Sequence, residues 1–250
     1  MIISSLYRYP VKGLSGETLP SVTLAADAYF PFDRLFAVEN GHSGFDEDAP
    51  EHQPKIKFLM LMRNERLAKL STKFDEFTNI LTISRDGRQV SRGEISTPLG
   101  RSIIEQFFAA FCKDDLRGPP KLLAAPDGFR FTDSRKGFVS LINLASVRDL
   151  ARVIGQDLDP LRFRGNIMLE GLEPWAENDL VGKTIQLGVV KFEVLKRIER
   201  CAATNVNLQT ATRDLNIPKT LLTAFGHTDC GVYARVVNSG EIKLKDEILI

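Results

Sequence analysis

One cysteine stands out by its neighbours. In RIERCAATNV, Cys201 follows Arg197, Glu199 and Arg200 and precedes small polar residues. Nearby cations favour thiolate, which is both a nucleophile and a soft metal ligand. A buried small hydrophobe is the competing reading, because free cysteine packs well. Period-two alternation along VKFEVLKRIERC sets Val190, Phe192, Val194 and Ile198 on one face. Lys191, Glu193, Arg197, Glu199 and Cys201 fall on the other, unless a bulge changes the phase. Spacing alone leaves both readings open.

Two further clusters could bind anions. In LDPLRFRGNIMLEG, Arg162 and Arg164 alternate with Leu161 and Phe163, which predicts both arginines on one side of an extended segment, with Asn166 in phase. Two guanidinium groups and an amide suit a phosphate or a polar heterocycle, and a solvated basic strand is the plain alternative. In YRYPVKGLSGE, Lys12 follows a proline-fixed turn. Cys112 ends an amphipathic pattern and reads as core, and Cys230 lies between a turn and a strand. Cys201, His227 and Cys230 do not have a zinc-finger spacing, and His42 and His52 sit in an acidic loop. No serine stands in a nucleophile-elbow pattern.

Positioning these groups falls to a strand-rich chain. Residues 2–7, 19–24, 35–39 and 79–84 are short apolar or alternating runs, and Asp86-Gly87 marks a hairpin. Two helices are expected. Residues 101–112 place Ile103, Ile104, Phe107, Phe108 and Phe111 on one face, with Ser96 or Thr97 as cap. Residues 144–154 form the second, starting after Asn143 and ending at Gly155. Residues 58–70 fit helix or strand equally, and residues 41–54 read as a surface loop. TIQLG and VKFEVLKRIER form a predicted hairpin, VYARVV, EIKL and DEILI read as further strands, and the last third reads as nearly all strand. The fold class is mainly β, a barrel-like mixed α+β architecture with a few peripheral helices. KDDLRGPPK suggests a boundary between units 1–110 and 111–250.

Composition removes several function classes. The net charge of +1 sets up no global field toward nucleic acid or anionic membrane. No run approaches the roughly 18 apolar residues of a membrane span, and the N-terminus lacks a secretory pattern. Three cysteines make no disulfide framework, which points to a reducing, cytoplasmic setting.

The motifs together resemble the MOSC family, whose members join an N-terminal β-barrel region to a MOSC-type β-barrel domain. YPVKG, FDRLFAV, RFRGNI, RIERCAATNVNLQT and GVYARVVNSGEIKLKDEI resemble that family's signatures in order, over nearly the whole chain. The resemblance implies a molybdenum-cofactor-binding oxidoreductase, similar to enzymes that reduce amidoximes and N-hydroxylated bases. It makes Cys201 the molybdenum ligand and catalytic thiolate. Lys12, Arg34, Arg164 and Asn166 would hold the molybdopterin and its phosphate. Arg200, Thr204 and Tyr233 would complete the wall, and Arg162 would bind or brace. The chain departs from the amidoxime-reducing pattern where T-x-R-x-x-P is expected and EDAPEHQPKIKFLML stands. The chain ends at Ile250 after the barrel strands with no cysteine-rich iron–sulfur domain. Electrons are therefore expected from a separate ferredoxin- or flavoprotein-type donor. The competing activity is a sulfur carrier holding a persulfide on Cys201; a third class is a non-catalytic cofactor-binding protein.

Overall fold

Alternating apolar residues at both ends of the chain meet in a single sheet. The computed structural model describes residues 1–135 and 137–250. Its largest sheet has eight strands, in the order Ile248–Leu249, Thr184–Leu187, Val190–Glu199, Asp229–Val236, Val139–Asn143, Ile167–Glu170, Ile2–Arg8 and Glu17–Leu19. Neighbours run antiparallel except Ile167–Glu170 with Val139–Asn143, which are parallel. The sheet curls around Ile3, Leu6, Leu141, Ile167, Phe192 and Val232, all 0% exposed. Each such side chain contributes roughly 1.5–3 kcal/mol relative to exposure. The fold is mainly β, as expected.

The N-terminal strands are shared with the C-terminal half. Ile2–Arg8 pairs with Ile167–Glu170, and Ser21–Leu24 pairs with Gly240–Lys243. The run expected at 19–24 is broken at Pro20 into two strands in different sheets. Proline has no N–H to continue a ladder.

A second core lies beside this sheet. Strands Leu70–Asp75, Ile80–Arg85 and Arg88–Glu94 form a meander, with Asp86 and Gly87 at φ 51° and 75° in the expected tight turn. Helix Pro98–Phe111 packs on it through Ile104 and Phe108, and the Gly100 N–H donates to the Thr97 hydroxyl at 3.1 Å as its cap. Ile103 departs from the expected face, at 40% exposed, and the buried stripe is Gly100, Ile104 and Phe108. Residues 58–70 resolve into a turn followed by a short 3-10 helix, Glu65–Lys69.

Two local expectations need correction. Arg162 and Arg164 do not lie on an extended segment. The Asp159 carboxylate accepts from the Leu161 N–H (2.9 Å) and starts a 3-10 turn, Pro160–Phe163, after which Arg164 is left-handed at φ 53°. The all-strand reading of the last third missed helix Ile217–Phe225, capped by Asn216 and ended by left-handed Gly226. The alternation expected along Val190–Glu199 holds: Val190, Phe192, Val194 and Ile198 are buried and Arg197 and Glu199 are exposed, despite two register shifts in the pairing with Asp229–Val236. Among the described residues no helix is long and apolar enough to cross a membrane.

Candidate functional site

A cavity of about 570 Å³ opens between the two cores. Lys12, Arg34, Arg162, Arg164, Asn166, Arg200, Cys201, Thr204 and Tyr233 all line it, together with Lys55, Asp133, Ser140 and the Met60–Met62 segment. The described lining holds eight basic and four acidic side chains, an excess of four positive charges in a chain whose net charge is +1. That volume falls in the range of small-molecule sites, about 300–1,000 Å³.

Backbone contacts carry the basic residues into place. The Arg34 N–H donates to the Tyr9 carbonyl (2.8 Å), and the Lys12 N–H donates to that of Phe36 (2.8 Å). Arg34 is left-handed at φ 48°, as is Arg164. Two glycines make room. A Cβ on Gly165 would lie 2.2 Å from Ile142 Cγ1, and one on Gly231 (φ 83°) would lie 2.4 Å from the Leu141 carbonyl oxygen and 3.2 Å from Arg200 Nη2.

The cations differ in how they are balanced. Arg162, 5% exposed, forms a bidentate pair with Asp214 at 2.7 and 2.7 Å. Arg34 pairs with Asp33 and donates Nη2 to the Arg164 carbonyl (2.8 Å). Lys12 pairs with Asp133 and donates to the Phe131 carbonyl (2.9 Å). Arg164 and Arg200 form no ion pair among the described residues. Arg164 Nη1 donates to the Leu14 carbonyl (2.5 Å), and Arg200 donates to the carbonyls of Cys230 and Phe163. Both guanidinium groups of Arg34 and Arg164 lie over the Tyr9 ring, 4.6 and 4.4 Å from its centroid.

Electrostatics follow this geometry. Burial, then the repulsion of Arg34, lowers Arg164 to about 10. Burial also lowers Lys12 and Arg200 below their ordinary values. Burial works against the Asp133 carboxylate, but Lys12 and Lys55 together hold it at about 2. Lys55 is raised despite burial, by Asp133 and then by Cys201. Its ammonium, 3.7 Å from Asp133, is the cation that faces the Cys201 sulfur, in place of the expected Arg197. Arg197 instead donates to the Asn178 carbonyl (3.3 Å).

Cys201 is partly accessible at the start of the 3-10 turn Ala202–Asn205, and the Thr204 hydroxyl donates to its carbonyl (2.9 Å). The other two thiols are different. Cys112 and Cys230 are 0% exposed, and burial pushes each to about 12. His227 accepts from the Asp229 N–H (3.1 Å) and packs on Trp175, and no cluster of histidine, cysteine and carboxylates able to hold a metal occurs among the described residues. Asn166 is fully engaged. Its carbonyl accepts from the Ser140 N–H (3.0 Å) and hydroxyl (2.8 Å), and its amide donates to Tyr7 (3.2 Å). In the acidic loop, His52 Nε2 lies 3.0 Å from the Thr132 carbonyl.

Two guanidinium nitrogens of the lining, Arg162 Nε and Arg164 Nη2, are buried with no hydrogen-bond partner among the described residues. An unpartnered guanidinium nitrogen in a cavity with surplus positive charge fits an anionic ligand. A soft thiol in the same cavity fits a soft metal. The residues therefore fit a phosphorylated, metal-bearing cofactor. Lys55 opens the short 3-10 helix Lys55–Lys57 and Asp133 lies outside helix and strand, so no spacing signal could have found them.

Fold and site define a class: a mainly β protein whose cation-rich cavity holds one accessible thiol. The chain belongs to the MOSC family. The MOSC N-terminal beta barrel domain matches residues 1–111, and the MOSC domain matches residues 129–249. Curated relatives include a molybdenum cofactor sulfurase of Caenorhabditis elegans, 33% identical over 118 residues, which are 42% of this chain and 16% of the relative. Its Caenorhabditis briggsae counterpart is 37% identical over 89 residues, 33% of this chain and 12% of the relative. The chain thus spans less than a fifth of either relative. Similar solved structures include the YUAD protein from Bacillus subtilis, 11% identical with a TM-score of 0.48, covering 98% of this chain and 92% of that one. YiiM from Geobacillus stearothermophilus is 19% identical with a TM-score of 0.37, covering 46% of this chain and 55% of that one.

Proposed function

We propose that the cavity binds a molybdenum–molybdopterin cofactor and that the protein is an oxidoreductase acting on N-hydroxylated compounds. The observation that carries this reading is the unpartnered Arg164 Nη2, buried in the cavity that also holds Cys201. Arg164, Arg34, Lys12 and Arg200 would hold the cofactor's phosphate and pterin, with Tyr233 completing the wall. Cys201 would ligate the metal. Bound there, the cofactor would supply a two-electron redox couple for removing the oxygen of an N-hydroxylated substrate.

The chain's own residues have separate tasks. Arg164 and Arg200 bring uncompensated charge to the ligand, which strengthens each hydrogen bond they donate. Arg162, bound to Asp214, braces the turn that leads to Arg164, and Asn166 ties that turn to the strand bearing Ser140. Thr204 fixes the Cys201 carbonyl and so the direction of the thiol. Lys55 holds positive charge beside the Cys201 sulfur. Asp133, ionised above about pH 2, keeps Lys12 and Lys55 in register. Electrons would come from a separate ferredoxin- or flavoprotein-type donor in a reducing, cytoplasmic compartment.

A sulfur carrier with a Cys201 persulfide is the second reading, favoured by the sequence shared with molybdenum cofactor sulfurases. One preparation distinguishes them. Protein from a cofactor-competent host, given a chemical reductant and an N-hydroxylated amidine, should release the amidine on the first reading. A labile additional sulfur on Cys201, with neither metal nor turnover, would replace it with the second.

A further inference from the structure

The loop after the cysteine turn makes a contact that cofactor binding does not require. Arg213 Nη1 donates to the carbonyl of Ala202, the residue next to Cys201, at 3.1 Å. Its Nη2 donates to the carbonyls of Leu61 (3.1 Å) and Met62 (2.8 Å) and pairs with Glu65 (3.0 Å). One side chain therefore ties the thiol-bearing turn to a segment about 140 residues earlier, and both line the cavity, through Cys201, Ala203 and Thr204 on one and Met60–Met62 on the other. Its neighbour Asp214 grips the opposite side through Arg162, and Asn207 donates to Asp214 at 2.7 Å. The bridge Val206–Arg213 anchors the loop's backbone.

The clamped segment is chemically distinct from the rest of the cavity. Met60, Leu61 and Met62 line it beside Ala203, while Lys12, Arg34, Arg164 and Arg200 line other parts of the wall. Apolar side chains and adaptable methionines accept a substrate's hydrocarbon body rather than its charged parts. A guanidinium can serve three acceptors in fixed directions at once; a lysine ammonium cannot hold that planar arrangement.

We propose that Arg213 is a positioning residue that sets the width of the slot between Cys201 and the Met60–Met62 wall, and that this slot selects substrates with a slim apolar body. The proposal rests on Cys201 being the reactive thiol of the proposed function, and its test does not need the cofactor. The full chain, prepared in a host without the pterin pathway, is treated with N-ethylmaleimide and separately with the bulkier N-phenylmaleimide. Adducts at each cysteine are followed by peptide mass spectrometry. Buried Cys112 and Cys230 report global loosening in the same sample.

Releasing a restraint worth about one net hydrogen bond changes an opening equilibrium roughly fivefold. Arg213→Gln should therefore raise the Cys201 rate about fivefold with the small reagent and by more with the bulky one. Arg213→Lys should fall between wild type and Arg213→Gln, and Cys112 and Cys230 should stay slow in all three. Equal Cys201 rates, or an unchanged ratio of bulky to small reagent, would overturn the clamp while leaving the Cys201 reading intact. Acceleration at all three cysteines together would also overturn it, since that is general destabilisation. If wild-type Cys201 reacts no faster than Cys112, the accessible-thiol reading itself fails and the clamp fails with it.

Discussion

The cation wall and the thiol wall of the cavity solve opposite physical problems. Lys12, Arg34, Arg164 and Arg200 come from four separated stretches of chain and are held by backbone carbonyls and the Tyr9 ring. Cys201 sits on one short turn whose geometry is local, with Thr204 bonding back to it. The first wall buries like charges together, and burial, then the repulsion of Arg34, lowers Arg164 to about 10. The second holds a partly exposed sulfur with little burial at stake. A site can thus trade stability for affinity on one side while leaving the other nearly neutral to the fold.

That contrast can be broken first at Arg164. Arg164→Gln should weaken binding of inorganic phosphate or the pterin about thirtyfold, the effect of losing a charge-assisted hydrogen bond of about 2 kcal/mol. The same change should leave thermal stability unchanged or raise it by up to about 1 kcal/mol, because burial and Arg34 disfavour the charge at that position. Calorimetry for binding and melting checks both signs. A large loss of stability would instead make Arg164 a structural brace.

Asp214→Asn gives the reverse pattern on the bracing side. Arg162 would lose its bidentate carboxylate while staying buried, and denaturant unfolding should show a loss of about 1–2 kcal/mol. Anion affinity should change less than for Arg164→Gln.

The smallest effect is in acid. The Asp133 carboxyl is held at about 2, below its ordinary value of 3.8. A depressed carboxyl contributes stability fully above its unfolded value, and that contribution falls away as pH drops from about 4 toward 2. Its side chain is 45% exposed, so screening keeps the contribution below about 1 kcal/mol. Over that window wild type should lose more stability than Asp133→Asn. Parallel pH profiles would remove the ion pair from the account.

What could be read in advance follows the same division. Cys201 was visible because the residues that make it unusual are its neighbours in the chain. The basic cluster was not, because only sheet pairing brings Lys12 beside Arg164, and spacing had no access to that; the order of the family-like motifs pointed to it. Alternation misled at Arg162 and Arg164, where Asp159 and Pro160 start a 3-10 turn. It held along Val190–Glu199, where Val190, Phe192, Val194 and Ile198 are buried despite two register shifts. The strand-rich reading held because short alternating runs dominate the chain, whereas helix Ile217–Phe225, nine residues long, was passed over despite its Asn216 cap and Gly226 stop. Arg213 had no signal at all, since its partners Leu61 and Met62 are backbone carbonyls.

Metal and pterin content per chain, in wild type and Cys201→Ala produced in a cofactor-competent host, tests the central claim most directly. Wild type should carry molybdenum and pterin in equal amounts. Cys201→Ala should lose the metal, keep measurable pterin through the cation wall, and unfold within about 1 kcal/mol of wild type, as expected for a partly exposed residue. Absence of both metal and pterin from folded wild-type protein, or equal metal in both proteins, would contradict the account.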